Sequence, residues 1–204
     1  MLYSSWTAVQ FRKEAFIKKS LIIKHSIKIL STKGYFNTTT RMIAKKSGIA
    51  VGTIYTYFKN KEAIIDEIFQ MEFQKRSEYL EKLNQKDLSS IEKFHQFLDF
   101  HFELLVKDPA LSKVLIQEST NPELQAIEGI QKFIQQLPGF FQNILDEGIK
   151  KGEIRSLDSS ITAYIIFGNI RGIVLNTELS KSKFAVQKVK EELKDYITYA
   201  LKEA

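Results

Sequence analysis

The chain has 204 residues, of which 44% are hydrophobic and 26% are charged, a balance typical of a soluble globular protein. It contains no cysteine, which excludes disulfides, cysteine zinc sites and thiol nucleophiles and favours a reducing cytoplasm. The formal net charge is +6, but residues 1–60 carry +10 and the remainder −4, so we expect a basic N-terminal part whose leading partner is nucleic acid.

Helical periodicity dominates the whole chain and predicts an all-α protein. Residues 1–14 fit either a flexible basic arm or an added helical turn. The helix expected at about residues 122–151 is either continuous or broken near Pro138. Cap-type residues precede two prolines, in Asp108-Pro109 and Asn121-Pro122, and each pair indicates a helix start. In chain order we expect helices at about 15–33, 40–47, 51–57, 61–84, 89–107, 110–119, 122–151, 159–178 and 183–202.

A helix-turn-helix motif is predicted between Gly34 and Lys61. Thr39 is placed to cap a short helix, Gly48 permits the tight turn that follows, and a second short helix runs over residues 51–57. Two short helices joined by a glycine-containing turn are the arrangement that places the second helix in a DNA major groove.

These residues resemble the TetR family of bacterial regulators. The resemblance covers about residues 22–68 and implies a two-domain, all-α homodimer, with the N-terminal arm and DNA-binding domain in 1–64 and a larger ligand-binding and dimerisation domain in 65–204. Its partners would be a double-stranded DNA operator and a small effector. The residues that carry it are Gly34-Tyr35, Thr39, Ile43-Ala44, Gly48, Gly52, Tyr55, Tyr57-Phe58 and Lys61-Glu62.

The resemblance also implies roles for residues of the motif. The side implied to face base edges comprises Val51, Gly52, Thr53 and Thr56. The implied phosphate contacts are Thr39, Tyr55, Tyr57 and Lys61, and their hydroxyl and ammonium groups are chemically suited to phosphate oxygens.

The recognition helix lacks the side chains that read bases by paired hydrogen bonds. Residues 51–57 contain no Arg, Asn or Gln, so bidentate recognition of guanine or adenine is not available from this helix. Apolar contact of Val51 and the threonine methyls with thymine methyl groups remains available. Sequence preference then depends either on Arg41, Lys45 and Lys46 or on DNA shape. Each of these three side chains either touches DNA or lies in solvent on the outer face of its helix.

The C-terminal part carries broad apolar helix faces. Seven of the 15 phenylalanines lie between residues 94 and 141, and they serve either ordinary core packing or the lining of an apolar cavity. Arg171 would pair with an anionic ligand, form a salt bridge or extend to solvent. The predicted ligand-binding residues are Phe97, Phe100, His101, Leu104, Gln117, Phe133, Phe140, Phe141, Ile144, Tyr164, Phe167 and Arg171.

Two segments near the C-terminus predict a four-helix dimer seam. Gly168 and Gly172 lie on one helix face and would allow another helix to approach closely. The last helix carries an apolar stripe of the kind that marks an interface, made of Val186, Val189, Leu193, Ile197 and Leu201.

Several classes of function are not expected. Three histidines without cysteine do not predict a metal site, no cofactor-binding motif is present, and no catalytic constellation indicates an enzyme. The most apolar run, residues 161–175, is shorter than the roughly 20 residues that a membrane helix needs and is interrupted by Asn169 and Arg171. We expect no signal peptide, because no apolar segment with a small-residue cleavage site follows the first methionine.

Three C-terminal stretches, 116–124, 145–154 and 166–172, resemble those of TetR-type regulators that respond to fatty acyl-CoA. This second resemblance implies a cytoplasmic repressor that an apolar effector, such as a fatty acyl-CoA, releases from a pseudo-palindromic operator. The alternative is a DNA-binding structural or partner-binding protein of the same fold that has no small-molecule effector.

Overall fold

The computed structural model describes residues 2–179 and 186–202, and these residues contain helices and no strand, which confirms the all-α prediction. The first four helices are α1 (Leu2–Lys33), α2 (Thr40–Ser47), α3 (Val51–Tyr57) and α4 (Lys61–Asn84). They are followed by α5 (Ser90–Lys107), α6 (Pro109–Ser119), α7 (Glu128–Gln131), α8 (Leu137–Lys151), α9 (Ser159–Leu179) and α10 (Val186–Leu201).

Residues 2–14 extend α1 and are not a separate arm. The helix spans 32 residues, and no glycine or proline interrupts it. The expected start at about residue 15 was therefore wrong, and of the two alternatives for the preceding residues the added helix is the one found, over more than a single turn. The apolar pattern on which that prediction rested begins only where α1 packs against other helices, at residues such as Ile22.

The predicted helix at 122–151 is divided at its start. Asn121 accepts a hydrogen bond from the Glu123 amide but begins only a single 3₁₀ turn, Pro122–Leu124, and regular helix resumes at Glu128. Between α7 and α8 the helix widens into a π-helical turn, Lys132–Gln136. Pro138 follows directly and explains the widening, because its ring lacks an N–H and would clash with a carbonyl one turn earlier.

The chain divides into two compact units, Met1–Ile68 and Phe69–Ala204, and the division falls within α4. Each unit has its own buried apolar side chains. In the first unit these include Ile22, Leu30, Ile43, Ile54 and Ile65, and in the second Phe94, Leu98, Phe141, Ile144 and Ile197.

The last helix packs inside its own unit. Its residues Leu193, Ile197 and Leu201 are buried, and α10 lies against α5, where Lys194 Nζ is 2.6 Å from a carboxylate oxygen of Asp99. The prediction of an exposed interface was therefore wrong for these three residues, whereas Val186 is exposed and Val189 is partly exposed. A helix stripe shows only that something covers it, and here the cover is α5. The predicted helix residues 183–185 lie outside the described part of the chain.

Candidate DNA interface and effector cavity

Local capping builds the α2–turn–α3 motif. Thr39 has extended backbone angles, and its hydroxyl accepts a hydrogen bond from the Met42 amide at 3.2 Å. Gly48 ends α2 with φ of 66°, a left-handed conformation that side chains disfavour. The Ile49 amide then donates to the Ala44 carbonyl at 3.1 Å, so the turn is closed by backbone hydrogen bonds.

The predicted DNA contacts all lie at the surface of this motif. Ile43, Ala44, Ile54 and Phe58 are buried on the inner side, which orients both helices. None of the predicted contact residues is buried. The exposed ones are Thr39, Arg41, Lys45, Lys46, Gly52, Tyr55 and Thr56, and the partly exposed ones are Val51, Thr53, Tyr57 and Lys61.

Tyr55 links the two helices of the motif. Its hydroxyl lies 3.1 Å from the hydroxyl of Thr40 on α2, while its ring is about half exposed. This contact fixes the phenol at the junction of α2 and α3. A phosphate contact by this hydroxyl stays a prediction, and the geometry leaves its oxygen near the outer surface.

Lys61 clamps the loop between α1 and α2. Its ammonium donates to the Tyr35 carbonyl at 2.5 Å and to the Thr38 carbonyl at 2.9 Å, and it lies 3.8 Å from the centre of the Tyr35 ring. The Tyr35 hydroxyl in turn donates to Glu62, and this hydrogen bond is the main reason that the pKa of Glu62 is lowered. Lys61 was predicted to contact phosphate, and that contact stays a prediction. The structure gives the side chain a second role in positioning the loop.

Asn60 caps the start of α4. Asn60 Oδ1 accepts a hydrogen bond from the Ala63 amide at 2.9 Å. The remaining amides of a helix N-terminus favour an anion such as phosphate.

The second unit contains a largely apolar cavity of about 250 Å³. Helices α4, α5, α6 and α9 and the π-helical turn contribute to its wall. The lining residues are Arg76, His101, Leu105, Leu115, Ile116, Ser119, Thr120, Phe133, Gly168, Arg171, Gly172, Val174 and Leu175.

A buried polar cluster interrupts the apolar wall. Arg76 is 1% exposed, and it donates from Nη1 to Glu72 Oε2 at 2.7 Å and from Nε to His101 Nδ1 at 3.1 Å. Glu72 also bonds Lys75. Burial first, and then the charge of Arg76, hold the pKa of His101 well below its usual value. His101 is therefore neutral, and because Nδ1 accepts a hydrogen bond, its proton must lie on Nε2.

Arg171 supplies a second guanidinium to the cavity. It is about half buried, donates to the Ser119 hydroxyl at 3.2 Å, and lies 5.6 Å from the centre of the Phe167 ring. Burial lowers its pKa. No carboxylate among residues 12–175 and 186–202, where the side chains are described, pairs with it, so the salt-bridge alternative finds no support in that part of the chain.

Three of the twelve predicted ligand residues line this cavity, namely His101, Phe133 and Arg171. Four others are buried in the packed core: Phe97, Phe141, Ile144 and Phe167. Phe97 and Phe141 pack edge to face at 5.0 Å, and Phe141 also contacts the rings of Phe94 and Phe167, so aromatic packing accounts for them.

The other five predicted ligand residues lie outside the cavity lining. Phe100 stacks on Tyr79 at 4.0 Å, Tyr164 is exposed, and Leu104, Gln117 and Phe140 are partly exposed. Ligand contact by these residues stays a prediction.

Sequence reasoning missed Arg76 and gave Gly168 and Gly172 another purpose. Both glycines line the cavity, and a Cβ atom placed on either meets nothing within 4 Å. Arg76 had a readable signal, because it lies on the same face of α4 as Phe69, Leu80 and Leu83, which are buried.

Neither a metal site nor a membrane helix is found where the structure describes the chain. In that part, no three His, Asp or Glu side chains are grouped to hold an ion. None of its helices combines the length and apolar character needed to cross a membrane.

An exposed helix-turn-helix motif joined to a helical unit with an internal cavity defines a DNA-binding regulator. The family profile for bacterial regulatory proteins of the tetR family matches residues 22–68, and that for the C-terminal region of YsiA-like proteins matches residues 69–200. This chain belongs to the TetR family, and it is a transcriptional regulator.

Its relatives include regulators of fatty acid metabolism. The chain is 31% identical to the fatty acid metabolism regulator protein of Bacillus subtilis, over 80% of this chain and 84% of that protein. The chain also matches the crystal structure of the regulator FadR from Bacillus subtilis in complex with stearoyl-CoA. The two chains are 29% identical in sequence, and their TM-score is 0.79 over 90% of this chain and 99% of that one. FadR from Bacillus halodurans, at 24% identity and a TM-score of 0.82 over 92% of this chain and 97% of that one, shows the same fold.

Proposed function

We propose that this chain is a repressor that a long-chain acyl-CoA releases from its operator. The observation that carries the proposal is the apolar cavity with Arg171, whose guanidinium has no carboxylate partner in the described residues. An apolar wall with one available cation suits a long hydrocarbon chain that ends in an anionic group. The bound stearoyl-CoA of the Bacillus subtilis relative is a molecule of this class.

The cavity must enlarge to hold a long acyl chain. Its volume of about 250 Å³ is below the roughly 300–1,000 Å³ of typical ligand pockets. A ligand that fits only an enlarged cavity binds one conformation better than the other, and this preference is what a ligand needs to shift an equilibrium. We propose that the enlarged form binds DNA weakly.

DNA would be bound by the exposed side of α2 and α3 in each of two subunits. Regulators of this family bind operators as dimers. We propose that the dimer surface consists of apolar side chains exposed on α9 and α10, because exposed patches of this kind mark interfaces. These side chains are Ile161, Tyr164, Ile165, Tyr196 and Tyr199. A regulator bound to the chromosome would work in the bacterial cytoplasm.

Fluorescence anisotropy with labelled DNA from upstream of the protein's own gene tests the proposal. We expect binding that exceeds binding to a scrambled duplex at moderate salt, and release on addition of stearoyl-CoA but not of CoA alone. A third sample with free stearate shows whether the CoA part of the ligand is required for release from DNA. If stearoyl-CoA leaves a specific complex intact at concentrations that saturate the protein, the effector proposal is wrong. An effector-independent DNA-binding protein of the same fold would then be favoured.

A further inference from the structure

The wall of the cavity includes an uncharged hydrogen-bond donor, His101 Nε2–H, for which the described side chains provide no acceptor. His101 is about nine-tenths buried, and its Nδ1 is occupied by Arg76 Nε at 3.1 Å. Its Nε2 makes no hydrogen bond to any residue of the ranges 12–175 and 186–202, where the side chains are described. Every enclosed side-chain nitrogen and oxygen in those ranges has a partner, so Nε2 must open onto the cavity that His101 lines.

The position and protonation of this nitrogen are both fixed by α4. Arg76 donates to Nδ1, so the imidazole can accept there only if its proton is on Nε2. Arg76 is itself held by Glu72 through the side-chain carboxylate at 2.7 Å and the backbone carbonyl at 2.9 Å. The ring of His101 also stacks at 5.7 Å on Phe97, which limits its rotation.

The charge around the donor is balanced. The positive charge of Arg76 is compensated by Glu72, and His101 is neutral. A carboxylate bonded to Nε2 would meet a neutral ring and a guanidinium already paired with Glu72, which makes its burial at this position costly, whereas Arg171 elsewhere in the lining has no such pairing. A neutral oxygen acceptor would satisfy Nε2–H at no such cost.

We propose that His101 Nε2–H donates a hydrogen bond to the thioester carbonyl oxygen of the bound acyl-CoA, with Arg76 as the positioning residue that sets the imidazole. This inference rests on the proposed effector and specifies which atom of it the protein recognises. Arg171, which is half buried, would face the anionic part of the ligand, while His101 reads the neutral junction between the acyl chain and the CoA.

A pair of ligands that differ only in the carbonyl tests the inference. Isothermal titration calorimetry would compare stearoyl-CoA with S-octadecyl-CoA, a thioether of equal chain length without the carbonyl oxygen, both below their micelle concentrations. We expect the wild type to bind the thioester about tenfold more tightly, the equivalent of roughly 1.4 kcal/mol for one hydrogen bond.

Two substitutions separate the two ring nitrogens. In His101→Asn the amide oxygen takes the place of Nδ1 and can still accept from Arg76, but the distal donor is lost, so we expect both ligands to bind equally. In His101→Gln an amide nitrogen takes the place of Nε2, and the preference for the thioester should return. Phe94→Leu, a core substitution away from the cavity lining, controls for loss of stability and should keep the tenfold preference.

The outcomes distinguish this inference from the proposed function. If neither ligand binds the wild type, the acyl-CoA proposal is wrong and the inference is wrong with it. If both bind equally, acyl-CoA remains the effector and recognition of the carbonyl is refuted. A tenfold preference that persists in His101→Asn would refute the role of His101 alone.

Discussion

At the scale of single residues, two side chains do more than their type suggests. Lys61 was expected to bind phosphate, yet its ammonium is bonded to the carbonyls of Tyr35 and Thr38. His101 is a titratable group that the fold keeps neutral. Both side chains therefore act from a fixed position in the protein. For each of them we predict an effect on folding stability that an exposed side chain without partners would not have.

Replacing Lys61 by methionine should lower stability as well as DNA affinity. The loop carbonyls lose a charged donor, and we expect a loss of about 1–2 kcal/mol in the free energy of unfolding. If Lys61 acts only by positioning the loop, the salt dependence of DNA binding should keep its slope, whereas losing a phosphate contact lowers that slope by about one. Lys46→Met is the matched control for stability alone, because Lys46 is exposed on α2 and no hydrogen bond or ion pair of its side chain is found among the described residues. Unchanged thermal stability of Lys61→Met would contradict the clamp.

Stability should fall on mild acidification because of His101. Its pKa is lowered in the folded state, so the unfolded chain takes up the proton first, and folded stability is lost as the pH falls below the unfolded value of about 6.5. Between pH 7.5 and 5.5 we expect a loss of about 1 kcal/mol in urea unfolding. His101→Gln should remove most of this loss. His25, whose pKa is also lowered, is replaced in a parallel variant to separate its contribution. The same loss in wild type and His101→Gln would contradict the assignment.

At the scale of elements, sequence analysis succeeded where caps mark the helix ends. The bounds of α2, α3 and α4 agree with those expected, because Thr39, Gly48 and Asn60 act at the positions where capping residues are required. It failed at α1 and at residues 122–127. In α1 no capping residue followed by proline marks where the helix begins. At 122–127 a capping residue and a proline begin a turn that does not continue into a helix.

The cavity was harder to predict than the helices. Phenylalanine between residues 94 and 141 is used mainly for core packing, and nothing in a single sequence separates a core ring from a cavity ring. Glu72 and Arg76 are four residues apart, a spacing that is also typical of a solvated surface pair and so does not by itself indicate burial. Only the register of α4, which places Arg76 among buried apolar side chains, indicates otherwise.

Two glycines of the second unit should respond to alanine in opposite ways. Gly168→Ala places a methyl group in open cavity space within α9, so we expect stability to rise by about 0.5–1 kcal/mol and stearoyl-CoA to bind less tightly. In Gly148→Ala the Cβ would lie 2.6 Å from both Ile154 Cδ1 and Ser90 Oγ, and we expect a loss of about 1–3 kcal/mol. Chemical denaturation of both variants measures this difference. A destabilised Gly168→Ala would show that the space beside α9 is not open.

At the scale of the whole molecule, function depends on pairing two copies. The exposed apolar side chains of α9 and α10 include Ile165, which is about half exposed in the single chain. We expect Ile165→Asp to weaken the dimer, since a charge would be buried in an apolar interface. Sedimentation velocity measures the association. Val106→Asp, at an exposed apolar position on α5, is the control. If Ile165→Asp and wild type dimerise equally, the dimer surface lies elsewhere.

The recognition helix has a consequence for the chemical state of the DNA it meets. Val51, Thr53 and Thr56 offer methyl groups, and no side chain of α3 is an amide or a guanidinium. Replacing thymine by uracil removes one methyl group from the major groove and leaves base pairing intact, so a uracil-containing operator should bind more weakly by up to about 0.8 kcal/mol for each methyl contacted. Conversely, 5-methylcytosine presents a methyl group at the position where thymine carries one. A regulator that reads methyl groups would therefore respond to DNA methylation as though the base sequence had changed.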